Sequence, residues 1–329
     1  MTKRTIVVTG GAGFVGSTLC DRLVGLGDRV VCVDNLAPDY PREEKLRNMA
    51  ALMRSPGFEW HDVDVYEPGA MHAVLEATRP DGVVHLAART GVRGSVEDPF
   101  GHEMANVKGT LSVLDGCRRV GVRNLVMASS SSIYGTNVKV PFREDDAVGN
   151  QVSPYAATKL GAEAMCNAYA SLYDLSIASC RLFTVYGPRQ RPDLAIRKFA
   201  TKMLRGEAIT MFGDGTSSRD YTFVEDIVSG LVGALEHGCK GHEVFNLGNS
   251  TPCTLADLIG KIQGALGVEV KIERAPMQPG DVPTTYADIS KAHAAFGYRP
   301  ATSLNDGLAV FADWIREVEG YPLRKAAAG

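Results

Sequence analysis

A tyrosine and a lysine four residues apart, in SPYAATKLGAEA, put Tyr155 and Lys159 on one face of the helix that Ser153 and Pro154 announce. A phenol with an ordinary pKa of about 10 is a weak base at neutral pH, and a neighbouring ammonium favours its ionised form. Such a pair can carry a proton to and from a substrate hydroxyl. Tyr-x-x-x-Lys also occurs on exposed helix faces that do no chemistry, so its meaning depends on its surroundings. Upstream, ASSSSIYG closes an apolar run, and the Ser130 hydroxyl there can share the substrate proton with the tyrosine.

A second constellation lies at the start of the chain. VVTGGAGFVG sets Gly10, Gly11, Gly13 and Gly16 between an apolar strand and a helix. Glycines permit the tight turn and let backbone N–H groups approach a pyrophosphate, and the helix N-terminus adds a field that favours the anion. Asp34 ends the second strand, where a carboxylate can accept from the ribose hydroxyls of an adenosine and would repel a 2′-phosphate. Read together, the two features favour NAD over NADP; the alternative is a glycine-rich turn beside an unrelated surface aspartate. Asp62 and Val63 end a third strand, either beside the adenine or simply as a strand end.

The elements that must position these groups follow from periodicity. TIVVTG (5–10), RVVCVD (29–34), FEWHDV (58–63), GVVHLA (82–87), NLVMASS (124–130) and SIASCRLF (176–183) are short apolar runs rich in β-branched residues. Segments with helical spacing at 14–26, 98–119 and 153–173 alternate with them. The pattern predicts an α/β fold, a doubly wound parallel sheet of the Rossmann type with a smaller, discontinuous α/β lobe for substrate. We expect an NAD-binding domain over 1–183, to which a helix (223–237) and a strand (242–248) return. The second lobe takes 184–222 and 249–322, with a helix at 254–266 and a strand at 268–273, and 323–329 forms a flexible tail.

Composition narrows the classes. The 329 residues carry a formal charge of −3, which argues against a nucleic-acid binder with its concentrated basic face. No apolar run approaches the roughly 20 residues of a membrane span, and MTKR leads directly into the first strand without a leader-like segment, so a cytoplasmic protein is expected. The seven cysteines form no C-x-x-C pair and read as reduced, buried small hydrophobes, and the seven histidines show no metal-ligand spacing, so no metal is expected.

TGGAGFVG, Asp34, HLAA (85–88), ANVKGT, ASSSSIYG, YAATK, RLFTVYGP, RDYTFVEDI and NLG together resemble the extended short-chain dehydrogenase/reductase superfamily over nearly the whole chain. The resemblance implies cofactor contacts from Gly10, Gly13, Phe14, Val15, Gly16, Asp34, Asn35, Asp62, Val63, Leu86, Ala87, Ala88, Asn106, Tyr155 and Lys159. It makes Tyr155 the acid/base, Lys159 the partner of the nicotinamide ribose, and Ser130 the hydroxyl beside the tyrosine. Within the superfamily the chain looks most like the UDP-sugar 4-epimerases that act on UDP-glucuronate. In those enzymes bound NAD oxidises C4 while the tyrosinate takes the O4 proton, and the 4-keto sugar turns over before it is reduced on its other face.

Neighbouring activities are sorted by single positions. The 4,6-dehydratases carry an Asp-Glu pair where this chain has Ser131 and Ser132, so the extra acid and base for elimination are missing. UDP-glucuronate decarboxylases usually place a glutamate at the position of Ser132. UDP-glucose epimerases commonly have Asn at the position of Thr184, whereas RLFTVYGPRQRPD resembles the hexuronate epimerases. A hydroxyl at 184 and the planar fork of Arg191 can hold a sugar carboxylate. The alternatives are a β-branched strand residue for Thr184, and a diphosphate contact or solvated charge for Arg191. Arg93 is a further candidate at the pocket wall, Phe212 beside uracil, Arg219 at the diphosphate and Asp281 at the uridine ribose; Gln278 replaces a second diphosphate arginine. The resemblance also implies a homodimer paired through 98–119 and 153–173. A rival reading is a non-catalytic Rossmann protein that senses NAD.

Overall fold

The structure is a computed structural model that describes residues 4–276 and 283–322. Asp281 and Gln278 therefore lie outside the described residues. In chain order the strands are β1 (Thr5–Thr9), β2 (Arg29–Val33), β3 (Phe58–His61), β4 (Gly82–His85), β5 (Asn124–Ser130), β6 (Ser176–Leu182), β7 (Thr184–Tyr186), β8 (Ile209–Phe212), β9 (Ser218–Phe223), β10 (His242–Leu247), β11 (Pro252–Thr254), β12 (Ile272–Ala275) and β13 (Thr284–Thr285).

Seven of them form one parallel sheet in the order β10-β6-β5-β4-β1-β2-β3. Alternate residues of β1 face opposite layers, as the two-residue period of a strand requires. Ile6 and Val8 pack with Leu19, Leu23, Ile227 and Leu231, while Val7 packs with Val31, Leu75, Leu114 and Cys166. Both faces are thus covered by helices, which is why these strands read as continuous apolar runs. The order of the strands reverses direction between β1 and β4, and the crevice beyond their C-terminal ends is where such sheets bind ligands.

A second core collects Tyr186, Ile196, Met203, Ile209, Phe223, Ile259, Phe311 and Ile315. It lies among β7, β8, β9 and the helices Ala195–Leu204, Leu255–Leu266 and Leu304–Glu319. Between the chain segments that build it, the helix Val224–His237 and β10 join the large sheet, with β10 parallel to β6.

Two expected elements differ. The helix expected over 98–119 is broken into Pro99–Glu103, a π-helical turn Met104–Lys108, and Gly109–Val120. The buried Asn106 in that turn directs its side chain onto the loop after β4 and onto the helix Pro154–Tyr173. The strand expected at 268–273 is shifted to β12 and pairs in parallel with β8.

Candidate active site

Both lobes line one cleft of about 1930 Å³ at the C-terminal end of β1 and β4. The glycine loop forms one wall. Gly10 holds a positive φ of 70°, and a Cβ on Gly16 would fall 2.1 Å from the Gly10 carbonyl oxygen, so neither position admits a larger residue. The helix Phe14–Gly25 starts at Gly13 without a side-chain cap. Its first N–H groups therefore have no side chain to receive them, and Gly13, Phe14, Val15 and Gly16 all border the cleft. This cradle fits a diphosphate.

Beside it, Asp34 is buried and accepts from the amides of Ala12 at 3.1 Å and Leu36 at 2.8 Å. Burial raises its pKa, and the charge of Lys45 opposes that shift. Asn35, Val63, Leu86, Ala87 and Ala88 line the same stretch of cleft, with Asn35 donating to Asp64 at 2.6 Å. Carboxylate, glycine cradle and apolar wall match the parts of an NAD molecule.

Two of the expected cofactor contacts, Asp62 and Asn106, stand just outside the lining of the cleft. Asp62 is exposed and lies 4.0 Å from Arg42, which itself lines the cleft, while Val63 and Asp64 border the cleft directly. Asn106 is buried behind the cleft wall. Its amide donates to the Arg89 carbonyl and to Thr158, both at 2.9 Å, and its carbonyl accepts from the Arg89 amide at 2.8 Å. It therefore ties the loop after β4 to the helix Pro154–Tyr173.

At the floor, that helix is capped by Ser153, whose hydroxyl accepts from the Ala156 amide at 3.2 Å. It presents Tyr155 and Lys159 to the cleft. Burial pushes the Tyr155 phenol up from its usual pKa, while the Ser130 hydrogen bond and the positive charge of Arg191 pull it down. Lys159 donates to the Ala128 carbonyl at 2.8 Å; burial lowers its pKa to about 8, against the opposing charge of Glu163. Arg191 thus brings a positive charge to bear on the phenol, in addition to whatever charge a ligand brings.

Ser130 and Ser131 border the cleft. Ser132 does not: it turns back at the start of the turn after β5, donating from its hydroxyl to Ser130 Oγ at 2.9 Å and from its amide at 3.2 Å.

The opposite wall carries Thr184, Arg191, Phe212 and Arg219, and Arg93 faces them from the helix Val92–Glu97. The Arg93 guanidinium lies 5.5 Å from the Phe212 ring centroid, joining the two lobes across the cleft. Arg219 donates to the Ser218 carbonyl at 2.8 Å and to Pro283 at 3.3 Å. Arg191 places Nε and Nη2 on the two oxygens of Asp193, at 3.0 and 2.7 Å, and Nη1 on Thr90.

Three further cleft residues went unnoticed in the sequence. Tyr40, Ser129 and Gln190 line the cleft, and their Oη, Oγ and Oε1 atoms are buried without a hydrogen-bond partner. Buried polar atoms without partners are uncommon, and their position here points to a polar ligand. Ser129 and Gln190 stand inside the motifs ASSSSIYG and RLFTVYGPRQRPD, whereas Tyr40 stands in none of those quoted. Away from the cleft, His237, Cys239 and Glu243 bring ligand-type atoms within 4.8 Å of one another despite their unremarkable spacing. Burial and the Glu243 charge push the Cys239 thiol up to about 12, and Lys291 lies 3.8 Å from Glu243.

Comparison with known proteins agrees with this geometry. Residues 6–248 match the NAD dependent epimerase/dehydratase family. A UDP-glucuronate 4-epimerase of Thermodesulfobacterium geofontis is 38% identical over 312 residues, covering 94% of this chain and 96% of that protein. UDP-glucuronate 4-epimerase 2 of Arabidopsis thaliana is 38% identical over 327 residues, covering 94% and 75%. The crystal structure of UDP-glucuronic acid 4-epimerase from Bacillus cereus, in complex with UDP-glucuronic acid and NAD, superposes with a TM-score of 0.90 at 34% identity, covering 95% and 99%. UDP-glucose 4-epimerase from Thermotoga maritima with UDP-glucose gives 0.88 at 32% identity, with the same coverage. The chain belongs to the NAD dependent epimerase/dehydratase family.

Proposed function

We propose that the protein is an NAD-dependent UDP-sugar 4-epimerase that interconverts UDP-glucuronate and UDP-galacturonate. The observation that carries this reading is the convergence, in one cleft, of the glycine cradle with Asp34, the Ser130–Tyr155 pair, and Thr184 with Arg191. Relatives and solved structures named for UDP-glucuronate epimerisation support it.

NAD, when bound, supplies the reversible oxidation at C4 of the sugar. Gly10, Gly13 and Gly16 with the helix N-terminus hold its diphosphate, Asp34 its adenosine ribose, and Lys159 its nicotinamide ribose. Tyr155 takes the O4 proton and later returns it, with Ser130 holding the same oxygen. Ionisation of the phenol is favoured by the Ser130 hydrogen bond and the Arg191 charge.

Thr184 and Arg191 grip the sugar carboxylate. A 4-keto uronate is a β-keto acid that loses CO₂ when its carboxylate stands perpendicular to the carbonyl, so a firm hold protects the intermediate. Arg219 faces the substrate diphosphate, Phe212 the uracil, and Arg93 and Ser131 border the sugar. Asp281, outside the described residues, keeps its proposed place at the uridine ribose. The protein acts as a homodimer.

The test is incubation of purified, NAD-loaded protein with each UDP-sugar and NMR identification of the products. UDP-galacturonate from UDP-glucuronate is the expected result. Faster turnover of UDP-glucose overturns the uronate assignment, and CO₂ release as the main reaction makes the protein a decarboxylase.

A further inference from the structure

Arg191 already holds a carboxylate. Its Nε and Nη2 form the side-on fork that matches two carboxylate oxygens, and both are on Asp193, two residues further along the same loop. Its Nη1 is on Thr90, in the loop after β4, so the bidentate face is filled and the guanidinium is held from both lobes. The Arg191 side chain is 17% exposed, whereas that of Asp193 is 50% exposed. One partner is fixed in the cleft wall, and the other is half in water.

We propose that Asp193 is a specificity-determining residue, an internal stand-in for the sugar carboxylate that exchanges with it on the Arg191 fork when substrate binds. The inference rests on the uronate reading given above. A half-exposed aspartate is released into water at little cost, since ion pairs open to solvent are worth about 1 kcal/mol or less. A UDP-sugar with an uncharged C6 has nothing to place on the fork and leaves the Arg191–Asp193 pair intact. Asp193 thus keeps a half-buried guanidinium neutralised and aimed at the cleft until a carboxylate replaces it, and it competes with the uronate for the same donors.

The test compares binding of UDP-glucuronate and UDP-glucose to NAD-loaded protein by calorimetry, in a Tyr155→Phe background that prevents turnover. Asp193→Asn keeps the side-chain shape but removes the competing charge. UDP-glucuronate is expected to bind about fivefold more tightly, the equivalent of roughly 1 kcal/mol. The ratio of the two affinities moves with it, and Asp193→Glu restores the ratio toward that of the parent. Weaker or unchanged uronate binding in Asp193→Asn overturns the exchange, as does an equal shift for both sugars. A parent protein that does not prefer UDP-glucuronate overturns the substrate reading, and the exchange with it.

Discussion

At the scale of single residues, the chemistry converges on Tyr155. Replacing it with Phe removes the phenol oxygen proposed to exchange the O4 proton while keeping the ring that packs against its surroundings. Turnover of UDP-glucuronate is expected to fall by about 10²- to 10⁴-fold, the usual contribution of a positioned acid/base. The NAD content of the purified variant should match that of the parent, because the glycine cradle and Asp34 are untouched; a stoichiometric assay of released NAD checks it. That Tyr155, Lys159 and Ser130 share one cleft was legible because the Tyr-x-x-x-Lys spacing puts two of them on one helix face and the Ser-rich strand end and glycine loop supply the context that the pair alone lacks. Where the chain beyond β3 meets the cleft was less legible: Asp64 borders it and Asp62 reaches only its Arg42 edge, and no pattern in FEWHDVDVY marks the difference. Tyr40 and Gln190 were invisible because their significance lies in atoms left without partners, a property of the folded state alone.

At the scale of elements, the helix Pro154–Tyr173 carries Tyr155, Lys159 and Glu163 at successive four-residue steps on one face. Glu163 pairs with the buried Arg181 through Nε at 3.0 Å and Nη2 at 2.9 Å, and Arg181 Nη1 donates to Tyr134 at 3.0 Å. The Glu163 charge raises the pKa of Lys159 against the larger effect of burial, leaving it at about 8. The proposed role of Lys159 needs its ammonium form, so activity is expected to fall as pH rises through about 8. Glu163→Gln removes the raising charge and should move that alkaline limb to lower pH in a kcat/KM profile. It also breaks one side of a buried ion pair, so stability should fall by about 3–5 kcal/mol in denaturant unfolding. Asn106→Ala probes a different joint. It leaves the Arg89 backbone and Thr158 without their shared partner, with a loss of about 1–3 kcal/mol expected in the same measurement. The parallel strands were legible because burial on both faces makes them apolar runs. The π turn around Asn106 was not, since helical periodicity survives a single wide turn almost unchanged.

At the scale of the whole molecule, one surface remains unexplained by the fold. Val96, Phe100 and Leu172 are 65%, 80% and 69% exposed, and Met104, Leu111 and Tyr173 are also open to solvent. They stand on the helices Val92–Glu97, Pro99–Glu103, Gly109–Val120 and Pro154–Tyr173 and on the π turn between them, the layer that covers one face of the large sheet. Large apolar side chains concentrated on one layer of a monomer mark an association surface. The proposed homodimer covers this layer with its own copy through a two-fold axis, so each residue is used twice. Phe100→Glu then introduces two charges into one interface, and light scattering on a sizing column should show dimer converted to monomer at micromolar concentration. The fold of the variant should be unaffected, because Phe100 lies outside every core cluster. Since Tyr155 and Lys159 lie on one of these helices, the monomer should also turn over more slowly if pairing stiffens the helix that aims them. A parent protein that runs as a monomer, or a Phe100→Glu variant that remains a dimer, would remove this layer as the interface.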